Sequence, residues 1–166
     1  YRYQATDSLM RISSSPLTDL EALSYLSGYF FYSATVAAGQ GGNFYIRDAS
    51  NNYNWRKDIN ATSKAAGRNI NYCCGILFAG DNGLIMKADS IGLPNGGEQI
   101  RWRVIPSGTN KNLHCITGGG GSSVYIAVGD DGTIIKSSDN GETWNNIPSP
   151  VTDDLYGCWL GYAYLI

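Results

Sequence analysis

Apolar and polar positions alternate in short runs along this chain, and the clearest pattern is a pair of apolar runs joined by a tight turn. Residues 76–87 read as an apolar run, the turn Gly-Asp-Asn-Gly at 80–83, a second apolar run and a lysine. Residues 125–136 repeat this order around Gly-Asp-Asp-Gly at 129–132. Tight turns between antiparallel strands need residues that adopt positive φ, and Gly, Asn and Asp do so most easily. Each segment therefore predicts a β-hairpin.

A third copy of the hairpin, over residues 36–47, fits the same pattern with one inserted residue. In each copy a tryptophan follows the basic residue. Trp55 lies eight residues after Arg47, and Trp144 lies eight residues after Lys136. In the middle copy Lys87 and Trp102 are fifteen residues apart, so about seven residues are extra. The extra segment, 91–97, predicts an enlarged hairpin tip, because surface loops accept insertions at little cost.

The crossing segments between the hairpins also repeat, and they give the period. Leu113 and Leu155 occupy equivalent positions 42 residues apart, which matches one four-stranded propeller blade of about 40–50 residues. We therefore predict an all-β fold, a β-propeller of four-stranded antiparallel blades, with about three and a half blades present. The predicted units are a partial blade over 1–20, blades over about 21–66, 67–110 and 111–152, and a partial blade over 153–166.

Residues 137–144 read Ser-Ser-Asp-Asn-Gly-Glu-Thr-Trp, a complete match to the Asp-box pattern Ser-x-Asp-x-Gly-x-Thr-Trp. The chain thus resembles the BNR/Asp-box β-propellers, a sialidase-like fold, and is most similar to the photosystem II stability/assembly-factor type. The resemblance implies a structural turn on the outer part of the blade, away from the channel where ligands bind, and no catalytic role. The residues of this structural Asp-box are Ser137, Asp139, Gly141, Thr143 and Trp144.

Elementary chemistry gives these residues the same role. A carboxylate such as that of Asp139 accepts hydrogen bonds from the N–H groups of its own turn. Gly141 supplies positive φ, and Thr143 and Trp144 begin the next strand with the indole in the blade core. In the copy near Trp55, Ser50 and Asn52 are expected at the Asp139 and Gly141 positions.

Charge excludes some functions and leaves others open. The 12 basic and 14 acidic residues give a net charge of −2, so no basic stripe is expected for binding nucleic acid or an anionic membrane. The longest apolar stretch, 155–166, is twelve residues, whereas a membrane-spanning helix takes about 20. We interpret it as a buried strand pair and expect a soluble protein, cytoplasmic or part of a virion rather than secreted.

No residue set in the chain predicts catalysis, a metal site or a cofactor. The four cysteines form no Cys-x-x-Cys pair and are expected as buried thiols in strands, with a lean toward a reducing compartment. His114 and Cys115 adjoin on a predicted strand, where neighbouring side chains point to opposite faces. A sialidase would need an arginine triad and a Tyr–Glu pair, and only Arg11-Ile12-Ser13 resembles its Arg-Ile-Pro signature. Glycosidase activity is therefore the least favoured function.

The function predicted from the sequence is a non-catalytic interaction or structural module, within a larger assembly such as a phage virion or as an assembly factor. Its partner would be a protein or a glycan. A propeller has about 4–8 blades, so the remaining blades would come from a longer chain or from a homo-oligomer. The alternative is a carbohydrate-binding, lectin-like propeller. The candidate ligand or partner loops are those of Asn51, Asn52, Tyr53, Asn95 and Gly96.

Overall fold

The computed structural model describes residues 20–26, 34–47, 52, 54–92, 98–119 and 122–161. These residues are mostly β, with one α-helix, and the strands form three antiparallel sheets of four strands each. The predicted partial blade over 1–20 lies outside the described residues except for Leu20, and so do residues 162–166 of the final one. The β class and the antiparallel four-stranded sheets predicted from the sequence are thus confirmed.

Each sheet is a meander of strands that follow one another in sequence. The first sheet has the order β1 (Leu20–Leu26), β2 (Ala34–Gly39), β3 (Phe44–Arg47) and β4 (Arg56–Lys57). The second has the order β5 (Ile70–Cys74), β6 (Leu77–Gly80), β7 (Ile85–Gly92) and β8 (Glu98–Ile105). The third has the order β9 (Leu113–Gly118), β10 (Tyr125–Gly129), β11 (Ile134–Ser137) and β12 (Asn145–Asn146).

The central hairpin of every sheet has the same turn, so the three predicted hairpins are confirmed. In each turn the N–H of a glycine donates to the carbonyl four residues later: Gly39 to Asn43 at 3.2 Å, Gly80 to Leu84 at 2.9 Å, and Gly129 to Thr133 at 3.0 Å. Two successive residues of each turn are left-handed, and the first of them is Gly41, Asn82 or Asp131, with φ of 64°, 52° and 53°. Residues that tolerate positive φ occur at all three sites, as the turn requires.

The inserted residue proposed for the first hairpin is wrong. Ile46 pairs with Val36 across the first hairpin in the way that Lys87 pairs with Leu77 and Lys136 with Ile126. Ile46 therefore occupies the position of Lys87 and Lys136, and Arg47 lies one residue after it. The hydrogen bonds of the turn set the strand register. Aligning the three hairpins by their basic residue shifted the first hairpin by one residue.

The extra residues of the second sheet lengthen its outer hairpin. The strands β7 and β8 have eight residues each and stay paired from Ile85 opposite Ile105 to Gly92 opposite Glu98. Ile91 and Gly92, expected in the hairpin tip, are therefore strand residues. The hairpin tip, with the candidate residues Asn95 and Gly96, lies outside the described residues.

One helix, α1 (Ile59–Ala65), connects the first and second sheets and was not predicted. The carboxylate of Asp58 caps it by accepting from the N–H of Ala61 at 3.0 Å, and the helix ends at Ala66, which is left-handed with φ of 53°. The other Asp58 oxygen accepts from the indole Nε1 of Trp102 at 2.8 Å. A single carboxylate thus joins the helix to the outer strand of the second sheet.

The sheets pack with their first strands side by side. The strand β5 contacts β1 on one side and β9 on the other, and Asn71 Nδ2 donates to the carbonyl of Leu113 at 3.0 Å between β5 and β9. Phe44, Phe78 and Trp102 form an aromatic cluster between the first two sheets, with ring centroids 5.0–5.4 Å apart. Each such aromatic pair contributes about 0.5–1.5 kcal/mol beyond area burial.

The buried strand pair predicted over 155–166 is not observed in its described part. Residues 155–161 form no strand, and the side chains of Tyr156 and Trp159 are 70% and 84% exposed. The segment is held at its start, where the N–H of Leu155 donates to the carbonyl of Gly129 at 3.0 Å. An apolar run becomes a buried strand only where another layer covers it, and the described residues leave most of the Tyr156 and Trp159 side chains exposed.

Candidate functional site

The Asp-box turn, residues 137–144, is organised around one carboxylate. Asp139 Oδ1 accepts from the N–H groups of Glu142 at 3.1 Å and Thr143 at 2.9 Å, and from Ser137 Oγ at 2.7 Å. Asp139 Oδ2 accepts from Thr143 Oγ1 at 2.5 Å. The hydroxyl and N–H of Thr143, together with the Ser137 hydroxyl, hold the pKa of Asp139 well below its usual range. A carboxylate held ionised in this way orders a turn and does not supply protons near neutral pH.

The glycine of the turn packs directly against the second sheet. Gly141 has φ of 81°, and a Cβ built on it would lie 2.6 Å from Leu77 Cδ1. Trp144 is 8% exposed, and its Nε1 donates to the carbonyl of Gly141 at 3.3 Å. The turn therefore lies against the face of the second sheet at Leu77, and it allows no side chain at that point.

An ionic cluster completes this contact. Lys87, only 4% exposed, donates from Nζ to the carbonyl of Asn140 and to Glu142 Oε1, both at 2.7 Å. Arg103 donates to both oxygens of Glu142, at 2.7 and 2.9 Å, and also bonds to Asp89. The hydrogen bonds from Arg103 and then Lys87 lower the pKa of Glu142 to about 2. The hydrogen bonds that Arg103 makes with Glu142 and then with Asp89 raise the pKa of Arg103.

The covered face can be described as a row of residues that pair across the sheet and therefore share a face. We call it the second-sheet row, and it consists of Cys74, Leu77, Lys87 and Arg103. The third sheet has the matching third-sheet row, which consists of Thr117, Ile126, Lys136 and Asn145.

The two rows differ sharply in exposure. In the second-sheet row Leu77 is fully buried and Lys87 is nearly so, because the Asp-box turn lies on them. In the third-sheet row Lys136 is exposed and Ile126 is half-buried. The described residues thus contain one covered copy and one uncovered copy of the same apolar-plus-lysine surface.

A second repeated contact, which was not predicted from the sequence, joins the central turn of each sheet to the segment that follows the sheet. The left-handed turn residues donate their N–H groups to side-chain oxygens of Asn69, Asn112 and Asp154, at 2.8, 2.9 and 3.0 Å. Asn69 and Asn112 directly precede β5 and β9, and the three acceptors are 43 and 42 residues apart. The only sequence signal is an Asn or Asp before each apolar residue that starts a unit, because the donors are main-chain groups.

Gly83 and Gly132 show the same repetition in the main chain. Their N–H groups donate to the carbonyls of Lys111 at 2.7 Å and Asp153 at 2.8 Å. The segment after the third sheet therefore contacts that sheet in the way that the entry to the third sheet contacts the second.

His114 and Cys115 have separate partners, as expected for neighbours in a strand. His114 Nε2 lies 2.5 Å from Asp130 Oδ1, and the imidazole stacks on Tyr156 with ring centroids 4.6 Å apart. Cys115 Sγ lies 3.1 Å from Cys158 Sγ. The two side chains are therefore not arranged as a nucleophile and its base.

The remaining candidate residues are spread over several regions. Asn52 is exposed with φ of 50°, the left-handed geometry expected of it, whereas Asn51 and Tyr53 lie outside the described residues. Trp102 is buried in the core. Trp55 is half-buried, and within the part of the chain that the structure describes its buried Nε1 has no hydrogen-bond partner.

A shallow groove of about 510 Å³ lies beside the turn of the second sheet. It is polar, with amide, hydroxyl and guanidinium groups along its walls. The lining residues that carry these groups are Arg68, Asn82, Ser107, Thr109 and Asn110.

Among the described residues, no group of three or more His, Cys, Asp and Glu side chains could hold a metal ion. No helix in the described part of the chain is long and apolar enough to cross a membrane. Comparison of the chain with protein-family models, with curated proteins and with solved structures finds no match.

Proposed function

We propose that this chain is part of a BNR/Asp-box β-propeller and that it works as a non-catalytic binding or structural module. The observation that carries the proposal is the third-sheet row, an uncovered copy of the surface that the Asp-box turn covers on the second sheet. The row has one apolar side chain, Ile126, beside the polar side chains of Thr117, Lys136 and Asn145. We infer a protein contact there because a turn of the chain itself buries the matching surface on the second sheet.

Three features support the propeller architecture. The sheets are four-stranded antiparallel meanders, and their first strands lie side by side, as the inner strands of propeller blades do. The Asp-box hydrogen bonds hold a turn at the outer edge of the third sheet, before β12. The contacts from Asn69, Asn112 and Asp154 recur at 43 and 42 residues, within the usual blade period of about 40–50 residues.

The covered surface indicates what the uncovered one accepts. On the second sheet, Leu77 packs against Gly141, and Lys87 donates hydrogen bonds to a main-chain carbonyl and to a carboxylate. The fitting partner for Ile126 and Lys136 is therefore a β-sheet protein whose turn offers a glycine and an acidic side chain. A longer form of this chain, a second copy, or a neighbour in a larger assembly such as a virion would each meet this description.

Zero-length cross-linking tests the proposal, because a carbodiimide joins an amine to a carboxylate that it already contacts. Lys87 and Glu142, 2.7 Å apart, should couple within the chain and serve as the internal control. In the native assembly we expect Lys136 to couple to an Asp or Glu in a partner's β-turn, and the Lys136→Gln variant to lose that product. Partner cross-links that spare Lys136 would overturn the proposal, whereas a partner peptide from the same sequence would identify a homo-oligomer.

Carbohydrate binding is the second candidate, and two observations favour it. The groove beside the second sheet presents amide and hydroxyl groups, and the indole of Trp159 is 84% exposed. Sugars bind through such hydrogen bonds together with stacking on an aromatic face. On a glycan array, we expect binding that Asn110→Ala, Trp159→Ala or Tyr53→Ala reduces at least about tenfold. An array with no signal, or a signal that these variants leave unchanged, would remove this candidate.

A further inference from the structure

Two cysteines that are 43 residues apart in sequence meet at the edge of the third sheet. Cys115 lies on β9, and Cys158 lies in the segment that follows the sheet. Their sulfur atoms are 3.1 Å apart, and the N–H of Cys158 donates to Cys115 Sγ at 3.3 Å. Both are free thiols. A disulfide bond has an S–S length of about 2.05 Å, so the two sulfur atoms need to approach by only about 1 Å.

We propose that Cys115 and Cys158 are a disulfide-forming site that fastens residues 153–160 to the third sheet. The main-chain bond from Cys158 to Cys115 Sγ fixes the segment at the required distance even in the reduced state. Cys74, by contrast, donates its thiol to the carbonyl of Gly118 at 3.4 Å. Cys74 lies close enough to interact with both of these thiols, but the 3.1 Å approach of two sulfur atoms is between Cys115 and Cys158.

The bond forms by thiol–disulfide exchange with a small disulfide such as oxidised glutathione. A Cys158 thiolate attacks one sulfur of the oxidant and releases one small thiolate, which takes up a proton. The Cys115 thiolate then attacks the mixed disulfide at Cys158 and releases the second small thiol. Two protein thiols are oxidised, and one small disulfide is reduced to two thiols. Cys158 reacts first because it is half-buried, whereas Cys115 is 4% exposed.

Burial governs the rate of this exchange. Desolvation raises the pKa of the Cys158 thiol, so little thiolate is present at neutral pH, and the thiolate is the attacking species. Bond formation should therefore be slow at pH 7 and accelerate as the pH is raised.

The bond would hold the Tyr156 and Trp159 surface in place beside the third-sheet row. It closes a loop of 43 residues and restricts the unfolded chain, which in the chain-entropy model raises thermal stability. We expect the oxidised protein to melt roughly 5 °C or more above the reduced protein.

Peptide mapping identifies the bond directly, because trypsin separates the cysteines. Cys115 falls in peptide 112–136, Cys158 in 137–166, and Cys73 and Cys74 together in 69–87. After treatment of the folded chain with oxidised glutathione, we expect 112–136 linked to 137–166 and a mass loss of about 2 Da. Peptide 69–87 should remain fully open to alkylation.

Variants separate the proposed bond from nonspecific oxidation. Cys158→Ser should lose both the linked peptides and the rise in Tm, whereas Cys73→Ser should keep both. Reduced Cys158→Ser should melt within about 2 °C of the reduced wild type, which shows that it folds. Links through peptide 69–87, or glutathione that stays on Cys158 without exchange, would overturn the proposal. Lys136 takes no part in this reaction, so the outcome is independent of the proposed partner contact.

Discussion

The second and third sheets carry the same surface in two different states. On the second sheet, Leu77 and Lys87 are buried under the Asp-box turn, and Glu142 bridges Lys87 and Arg103. On the third sheet, Ile126 and Lys136 occupy the matching positions, where Ile126 is half-buried and Lys136 is exposed. The same local pattern, an apolar residue paired with a lysine, therefore forms part of an interior in one place and an exposed surface in the other. What differs is the neighbouring sheet, and this difference is the reason that we propose the third-sheet row as the partner surface.

The largest expected difference is between a covered and an uncovered tryptophan. Trp144→Ala should lower the free energy of unfolding by about 3–5 kcal/mol, because the indole is buried beside Gly141. Trp159→Ala should change it by less than about 0.5 kcal/mol, because that side chain is exposed. Urea titration of both variants measures the difference. Equal losses would mean that Trp159 is covered in solution, and a loss below about 1 kcal/mol for Trp144 would make it a surface residue.

Glycine substitutions separate the contact of the Asp-box turn from its backbone geometry. Gly141→Ala should cost about 2–4 kcal/mol, since it adds a clash with Leu77 to a left-handed backbone. Gly75 is also left-handed, with φ of 57°, but a Cβ there meets nothing within 4 Å. Gly75→Ala should therefore cost only about 1 kcal/mol. Similar losses at the two positions in equilibrium unfolding would show that the turn does not press on Leu77.

The two lysines form the most direct matched pair. Lys87→Met should lower the free energy of unfolding by about 1–3 kcal/mol, because it leaves the Asn140 carbonyl unpaired and removes one bond to Glu142. Lys136→Met should remain within about 0.5 kcal/mol of the wild type, because that side chain is exposed. Thermal and chemical unfolding of both variants provides the comparison. A destabilising Lys136→Met would indicate that the third-sheet row is already covered.

The smallest effect concerns pH and the bridging carboxylate. The pKa of Glu142 is about 2 in the folded chain, against an ordinary value of 4.5. A lowered pKa stabilises the fold above the ordinary value, and this contribution is lost as pH falls from 4.5 towards 2. Glu142→Gln should therefore flatten the fall in Tm across this range. The effect is modest because the Glu142 side chain is 43% exposed and solvent screens exposed ion pairs. Unchanged pH dependence in the variant would show that the ionic cluster does not form.

The sequence predicts the hairpins because their turns carry the information locally. Gly80, Asn82 and Gly83 suit a turn of fixed handedness, and the apolar runs beside them pair only one way. The seven-residue helix α1 lacks such a signal, since its stability comes from the Asp58 cap and from burial of Ala61 and Ala65. Short helices depend on packing more than on propensity.

The candidate site was less predictable, because its contacts join residues far apart in the chain. Lys87 and Lys136 follow nearly the same sequence, and only the position of the Asp-box turn distinguishes them. The contacts of Asn112 and Asp154 go to main-chain N–H groups, which every residue carries, so sequence comparison has no partner to match. The meeting of Cys115 and Cys158 likewise depends on how the chain leaves the third sheet.

Chemical labelling of the two lysines tests the central comparison most directly. Limited acetylation of the folded chain, followed by mass spectrometry of the peptides, gives a rate for each amine. We predict that Lys136 reacts at least about tenfold faster than Lys87, and that unfolding in urea makes the two rates equal. Equal rates in the folded chain would contradict the account, because the second-sheet row would then be as open as the third-sheet row.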